Sequence, residues 1–175
     1  LYDWKLASKK SKATIHDFAF MMADNAVRYY MCSISPETMD ERAIRLLANS
    51  LIMSGISMEI SQSSRPSSGS EHLISHAYDR YARKPVLHGI QVGFATYCIS
   101  FVQNHEHEAI RDYLAQCGFF KYLTENPLCR VDFIQAIEKA PEMKEDFYSI
   151  LSEKGCKEQL LDFIEKDEWC KKILS

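Results

Sequence analysis

Apolar residues recur along this chain at the three-to-four-residue spacing of a helix face, and little interrupts them. Only six glycines and five prolines punctuate the 175 residues, and the strict alternation of a half-buried strand is hard to find. Between His16 and Tyr30 the residues Phe18, Met21, Met22, Ala26, Val27 and Tyr30 fall close to helical spacing. Ser35-Pro36-Glu37 combines a cap residue with Pro at a first helical position. The helix it opens is predicted to run to about Ser61. That helix is apolar on more than one face, through Ile44, Leu47, Leu51, Ile52 and Ile56, which suits the middle of a bundle. Ser54-Gly55 within it marks close helix packing or a kink, or is a tolerated glycine. Further helices are predicted at 69–83, 88–104, 106–117, 130–139 and 156–167, with a short last turn at 168–174. Cys117-Gly118 and Lys154-Gly155 supply stop signals. The small, polar stretch from Ser61 to Ser70 reads as a loop. It could link two domains, but both flanks are helical and it ends in a helix start carrying Glu71 and His72. The expectation is an all-α chain, one compact multi-helix domain over residues 1–175.

Composition narrows the function. Hydrophobic residues make up 46% and charged residues 26%, enough apolar material for a core. A formal net charge of −3 gives no electrostatic footprint for nucleic acid or an acidic membrane. The short run Lys9, Lys10 and Lys12 reads as a solvated loop. No signal peptide and no apolar run of bilayer length is expected. The chain does not begin with Met, and Leu1–Ala7 reads as the interior of a longer sequence. The six cysteines form no C-x-x-C pair, so reduced thiols in a cytoplasmic protein are expected.

Three of the six histidines fall close together. His72 and His76 are four apart, so their rings leave one face of a helix. His88 follows Lys84-Pro85-Val86-Leu87 and opens the next helix, which a short turn packs against the first. Imidazole nitrogen is a common ligand for zinc, nickel and iron, and a catalytic centre needs three protein ligands and an open position. Two histidines from adjacent helices give two; the third should be a carboxylate. The alternative is that these histidines cap or bond neighbours, since H-x-x-x-H lacks the Glu of H-E-x-x-H. His105-Glu106-His107-Glu108 reads as a solvated cap, and His16 with Asp17 as a structural or surface pair. No spacing argues for a nucleophile, and no Gly-rich phosphate loop is present.

The run Ser64-Arg65-Pro66-Ser67-Ser68-Gly69-Ser70-Glu71-His72-Leu73-Ile74-Ser75-His76 resembles the S-R-P-x-S-G-x-E-H-x-x-S-H segment of glycerol-1-phosphate dehydrogenases. These belong to the superfamily of iron-containing alcohol dehydrogenases, glycerol dehydrogenases and dehydroquinate synthases. Leu87-His88-Gly89-Ile90-Gln91-Val92-Gly93 is similar to the family's L-H-G-x-Q-V-G, and Asp3-Trp4-Lys5-Leu6-Ala7 to its D-W-K-L-A. Ala140-Pro141 with Phe147–Ser152 is most like the bacterial AraM-type members. The matches are in order and span nearly the whole chain.

The resemblance implies the helical C-terminal domain of a dehydroquinate synthase-like fold. It implies His72 and His88 as ligands of a catalytic divalent metal, zinc, nickel or iron. It implies His76 as a residue that contacts the substrate and serves catalysis. The family's third ligand is an aspartate in a G-x-G-D segment, and its NAD(P) site is a Rossmann-like domain; neither occurs in residues 1–175. The implied activity is NAD(P)- and metal-dependent reduction of dihydroxyacetone phosphate to sn-glycerol 1-phosphate, in a cytoplasmic homodimer or higher homo-oligomer, with no nucleic-acid partner. These residues alone are expected to be inactive. The alternatives are a glycerol dehydrogenase of the same superfamily, or a non-catalytic helical packing or dimerisation module.

Overall fold

The computed structural model describes all residues, Leu1–Ser175, and divides them into two units, Leu1–Gly69 and Ser70–Ser175. The division falls at the end of the Ser-rich stretch. No strands form; the only β-type pairing is one isolated parallel bridge between Leu128 and Leu174.

The first unit contains α1 (Tyr2–Lys10), α2 (Asp17–Ser33) and α3 (Glu41–Ser61). Trp4 is buried, and its indole N–H donates to the Thr14 carbonyl at 2.9 Å. Helices α2 and α3 pair through small residues: Ala19, Ala23, Ala26, Ala43 and Ser57 are the positions they bury. The large apolar residues predicted to bury α3 do not. Leu51 is 64% exposed and Ile52 60% exposed, with Ile44 and Ile56 also open. Only the narrow, small-residue side of α3 meets its neighbour, so the pattern that suits a bundle centre is not enclosed within this chain. Gly55 meets nothing within 4 Å of where a Cβ would be, and α3 continues through it.

The start of α3 also differs from expectation. Ser35 instead closes a turn, accepting from the Thr38 N–H at 2.8 Å. The helix begins five residues later, where the Asp40 side chain accepts from the Ala43 N–H at 2.8 Å. A carboxylate cap outcompetes the Ser-Pro signal because it bonds an orphan N–H and faces the positive end of the helix. The expectation of no bilayer-length apolar helix is corrected here, since α3 with its 21 residues reaches that length and apolarity. Its uncharged stretch, Leu46–Met58, is shorter than the ~20 residues of a typical span.

The second unit contains α4 (Ser70–Tyr81), α5 (His88–Gln103), α6 (His107–Gln116), α7 (Phe119–Glu125), α8 (Arg130–Lys139), α9 (Cys156–Lys166) and α10 (Glu168–Ile173), with 3-10 turns at Ala140–Met143 and Ile150–Ser152. Its core is aromatic. Phe94 and Phe133 lie 4.9 Å apart by ring centroid, and Tyr97 packs edge-on to Phe120 and Phe163. Helix α4 packs on both α5 and α8. Asp132 of α8, buried, accepts from both the backbone N–H and the Nε of Arg83, fixing the start of the α4–α5 connection. Gly118, at φ +80, makes the break between α6 and α7 that only a residue without a Cβ takes readily.

Candidate metal centre

Helices α4 and α5 form a tight hairpin. Pro85 disfavours helix at the residue before it, and α5 restarts two residues after Val86 with its first N–H bonds directed at the Leu87 carbonyl. His88 is therefore the first residue of α5. On α4, Ser75 and His76 lie three and four residues after His72, and Asp79 three after His76, so the four share a face. On α5, His88 and Gln91 are three apart and share another. The hairpin brings these two stripes together.

The three sequence-predicted histidines do converge. The ring centroids of His72 and His88 are 5.3 Å apart and those of His72 and His76 6.4 Å apart. Two imidazoles that bind one tetrahedral ion at ~2.0–2.1 Å would place their centroids roughly 5 Å apart, so the His72–His88 spacing fits a shared cation. In both rings Nδ1 is already engaged by protein. His72 Nδ1 lies 2.9 Å from Glu71 Oε1, and His88 Nδ1 lies 2.9 Å from Ser75 Oγ. That leaves Nε2 of each ring as the nitrogen that could ligate, with the other nitrogen oriented by a second group, an arrangement common in metal-bound histidines. Glu71, the carboxylate closest to the pair in sequence, is thus held against His72. No three His, Cys, Asp or Glu side chains are grouped to hold a metal, so the donor set fits two ligands of such a site and lacks the third.

His76 is exposed, open to a ligand from solvent. Desolvation on its packed side, then the neighbouring His72 and His88, hold its pKa below the ordinary 6.5; Lys144 adds to this and Asp79 opposes it. The ring is therefore neutral at pH 7 and able to accept or donate one hydrogen bond.

Sequence reasoning missed the residues behind the histidines. Ser75 and Gln91 are both buried, and Ser75 Oγ donates to Gln91 Oε1 at 2.7 Å. Gln91 Nε2 donates in turn to Asp79 Oδ1 at 2.6 Å and to the Val86 carbonyl at 2.7 Å. The signal was present: Ser75 and Gln91 lie inside the two motifs, on the same faces as the histidines. Elsewhere, His107 is no solvated cap. It stacks on Tyr97 at 5.0 Å and meets Phe101 and Phe163 edge-on. Its partners come from α5 and α9, which its own segment could not reveal. In the first unit Asp3 of the D-W-K-L-A match and Arg65 of the S-R-P segment are both buried, and the Asp3 charge offsets part of the desolvation that lowers the Arg65 pKa.

The chain is similar in sequence to known proteins. No family model matches the chain. It is 36% identical over 152 residues to glycerol-1-phosphate dehydrogenase (NAD(P)+) of Methanosarcina acetivorans, which covers 85% of this chain and 42% of that protein. It is 34% identical over 157 residues to the protein of the same name from Methanothermobacter thermautotrophicus, covering 89% of this chain and 45% of that one. It is 30% identical over 154 residues to the one from Saccharolobus islandicus, covering 87% and 44%. The chain is a homologue of the glycerol-1-phosphate dehydrogenases, matching them along most of its own length while spanning less than half of theirs.

Proposed function

We propose that this chain is the helical, metal-holding part of a metal- and NAD(P)-dependent dehydrogenase that reduces dihydroxyacetone phosphate to sn-glycerol 1-phosphate. The observation that carries the reading is the approach of His72 and His88 with each Nδ1 occupied and each Nε2 left over. A divalent cation at such a pair, zinc, nickel or iron, would supply Lewis-acid polarisation of the substrate carbonyl. A reduced nicotinamide would supply the hydride.

The chain's own residues do the rest. His72 and His88 hold the cation, and the exposure of His76 and His88 keeps the position open to a small substrate. His76, neutral and one turn from His72, bonds a substrate oxygen through a ring nitrogen and is placed to pass a proton to it. The family's third ligand, an aspartate in G-x-G-D, has no counterpart in this sequence. We therefore read residues 1–175 alone as inactive and weak in metal binding. Two neutral imidazoles bring no charge to offset a dication, and two or more coordination positions fall to water. The working protein is read as cytoplasmic and homo-oligomeric, with a small-molecule substrate and no nucleic acid.

The test is an assay of the complete dehydrogenase containing this segment, with dihydroxyacetone phosphate and NADH or NADPH. Turnover that is lost in both His72→Ala and His88→Ala supports the reading. Oxidation of free glycerol with no use of the phosphorylated substrate would move the activity to glycerol dehydrogenase. For residues 1–175, calorimetric titration with zinc should give weak binding at most; tight stoichiometric binding abolished by His72→Ala would reveal a third protein ligand.

A further inference from the structure

We infer that Ser75, Gln91 and Asp79 are positioning residues that fix the imidazole proton of His88 on Nδ1. The argument is one of hydrogen-bond valence, followed inward from a group whose role cannot change. The Val86 carbonyl accepts and never donates. It lies 2.7 Å from one end of the Gln91 amide, so that end is the NH2. The same end lies 2.6 Å from Asp79 Oδ1, a second acceptor, which takes the other amide proton. The opposite end of the amide is therefore the carbonyl oxygen, and it faces Ser75 Oγ at 2.7 Å. A serine hydroxyl has one proton, and this geometry commits it to Gln91. Its lone pairs are what remain for His88 Nδ1, 2.9 Å away. The only hydrogen bond that can form there has His88 Nδ1–H as donor. Nε2 of His88 is left deprotonated, with its lone pair available.

Burial makes this arrangement durable. Ser75 and Gln91 are 0% and 2% exposed, so water does not compete for the bonds between them. Reversing any link would set two acceptors or two donors against each other inside the protein, which costs more than the bond itself is worth. A free histidine side chain favours the opposite tautomer, with its proton on Nε2. The three residues thus hold His88 in the less common form, the one a ligand through Nε2 must have. The proton assignment stands on these contacts alone; its use rests on the reading of His88 as a metal ligand.

The tautomer can be observed with no metal and no turnover. Long-range proton–nitrogen correlation spectra of the 15N-labelled chain, free of metal at pH 8, should give His88 a pyrrole-type Nδ1 and a pyridine-type Nε2. In Ser75→Ala the pattern should reverse or average toward the free side chain. Ser75→Thr, which keeps the hydroxyl, should restore it, and Gln91→Met should weaken it. A proton on Nε2 of His88 in the unaltered chain overturns the inference, as does an unchanged pattern in Ser75→Ala. Titration with zinc chloride in the same spectra tests the use. Zinc should move His88 Nε2, with apparent affinity at least tenfold weaker in Ser75→Ala. A correct tautomer whose Nε2 ignores zinc in the unaltered chain and in the complete dehydrogenase would overturn the metal reading and leave the proton relay standing.

Discussion

Among single residues, His107 sits in surroundings that resist a charge. Tyr97, Phe101 and Phe163 surround its ring, and its Nδ1 lies 2.9 Å from Ser100 Oγ. The Ser100 hydroxyl proton goes to the Tyr97 carbonyl, so the ring donates there and does so while neutral. Burial lowers its pKa below the ordinary 6.5, opposed by the Tyr97 backbone, Asp167 and Glu108 and aided by Arg111. The folded state then binds fewer protons than the unfolded one at mildly acidic pH, and stability must rise with pH in that range. The second unit should be at full stability above about pH 6.5. It should weaken as pH falls from there through the lower folded-state pKa. Urea midpoints measured from pH 8 to pH 5 should fall less steeply for His107→Phe than for the unaltered chain, since the substitution removes this proton and keeps the ring contacts. Parallel profiles would refute the assignment. The histidine pattern at 105–108 could not disclose this, because the ring contacts need α6 to fold back on α5 and bring in Phe163 from the distant α9.

At the level of elements, the helix ends decide more than the helix middles. Asp167 caps α10, its Oδ1 accepting from the Trp169 and Cys170 N–H groups at 3.0 and 2.9 Å. Its Oδ2 accepts from the Tyr97 hydroxyl at 2.8 Å. Burial and this carboxylate push the Tyr97 pKa up, so the phenol remains a donor at any working pH. Asp167→Ala removes a cap worth about 1 kcal/mol and orphans a hydroxyl at a cost of ~1–3 kcal/mol. A loss of roughly 2–4 kcal/mol is expected in urea unfolding, against under half of that for Asp167→Asn, which keeps an acceptor. The longer helices were legible from periodicity: α4, α5, α8 and α9 begin within a residue of their predicted starts. Helices α1 and α7, of nine and seven residues, were not: so few turns show little period, and the six-residue α10 was read only as a short last turn. The start of α3 was misread because Ser35-Pro36 and Asp40 are both plausible caps. Only the hydrogen bonds separate them.

On the scale of the whole molecule, the two units are built from different materials. The first buries mainly alanines and serine, with Trp4 and Ile34 its large buried apolar residues, while leaving Phe18, Met21, Leu51 and Ile52 more than half exposed. The second encloses Phe94, Tyr97, Phe120, Phe133 and Phe163. Apolar area removed from water sets stability, so the first unit should be the weaker. Each holds one tryptophan, Trp4 in the first and Trp169, stacked on Phe120 at 4.7 Å, in the second. Fluorescence of Trp169→Phe, reporting Trp4, should change at lower urea than that of Trp4→Phe, reporting Trp169. Coincident transitions would contradict this ordering. The candidate metal centre was legible in part for a related reason. The histidine spacing needs only the α4–α5 turn to become a cluster. The Ser75–Gln91–Asp79 chain needs the register of the two packed helices, which no local pattern encodes.

The six free thiols divide along similar lines. Cys32 and Cys117 are exposed, whereas Cys98 and Cys170 are buried with their sulfurs 4.0 Å apart. The contact with Cys98, together with burial, pushes the Cys170 pKa up, and alkylating reagents act on the thiolate. A folded molecule should therefore gain label within the first minutes at Cys32 and Cys117, more slowly at the half-buried Cys129, and then almost stop. Later gains in mass at Cys98 and Cys170 would each record a moment when α5 and α10 parted. The chain thus carries its own clock for the rarest openings of its core, read by weighing the protein over time.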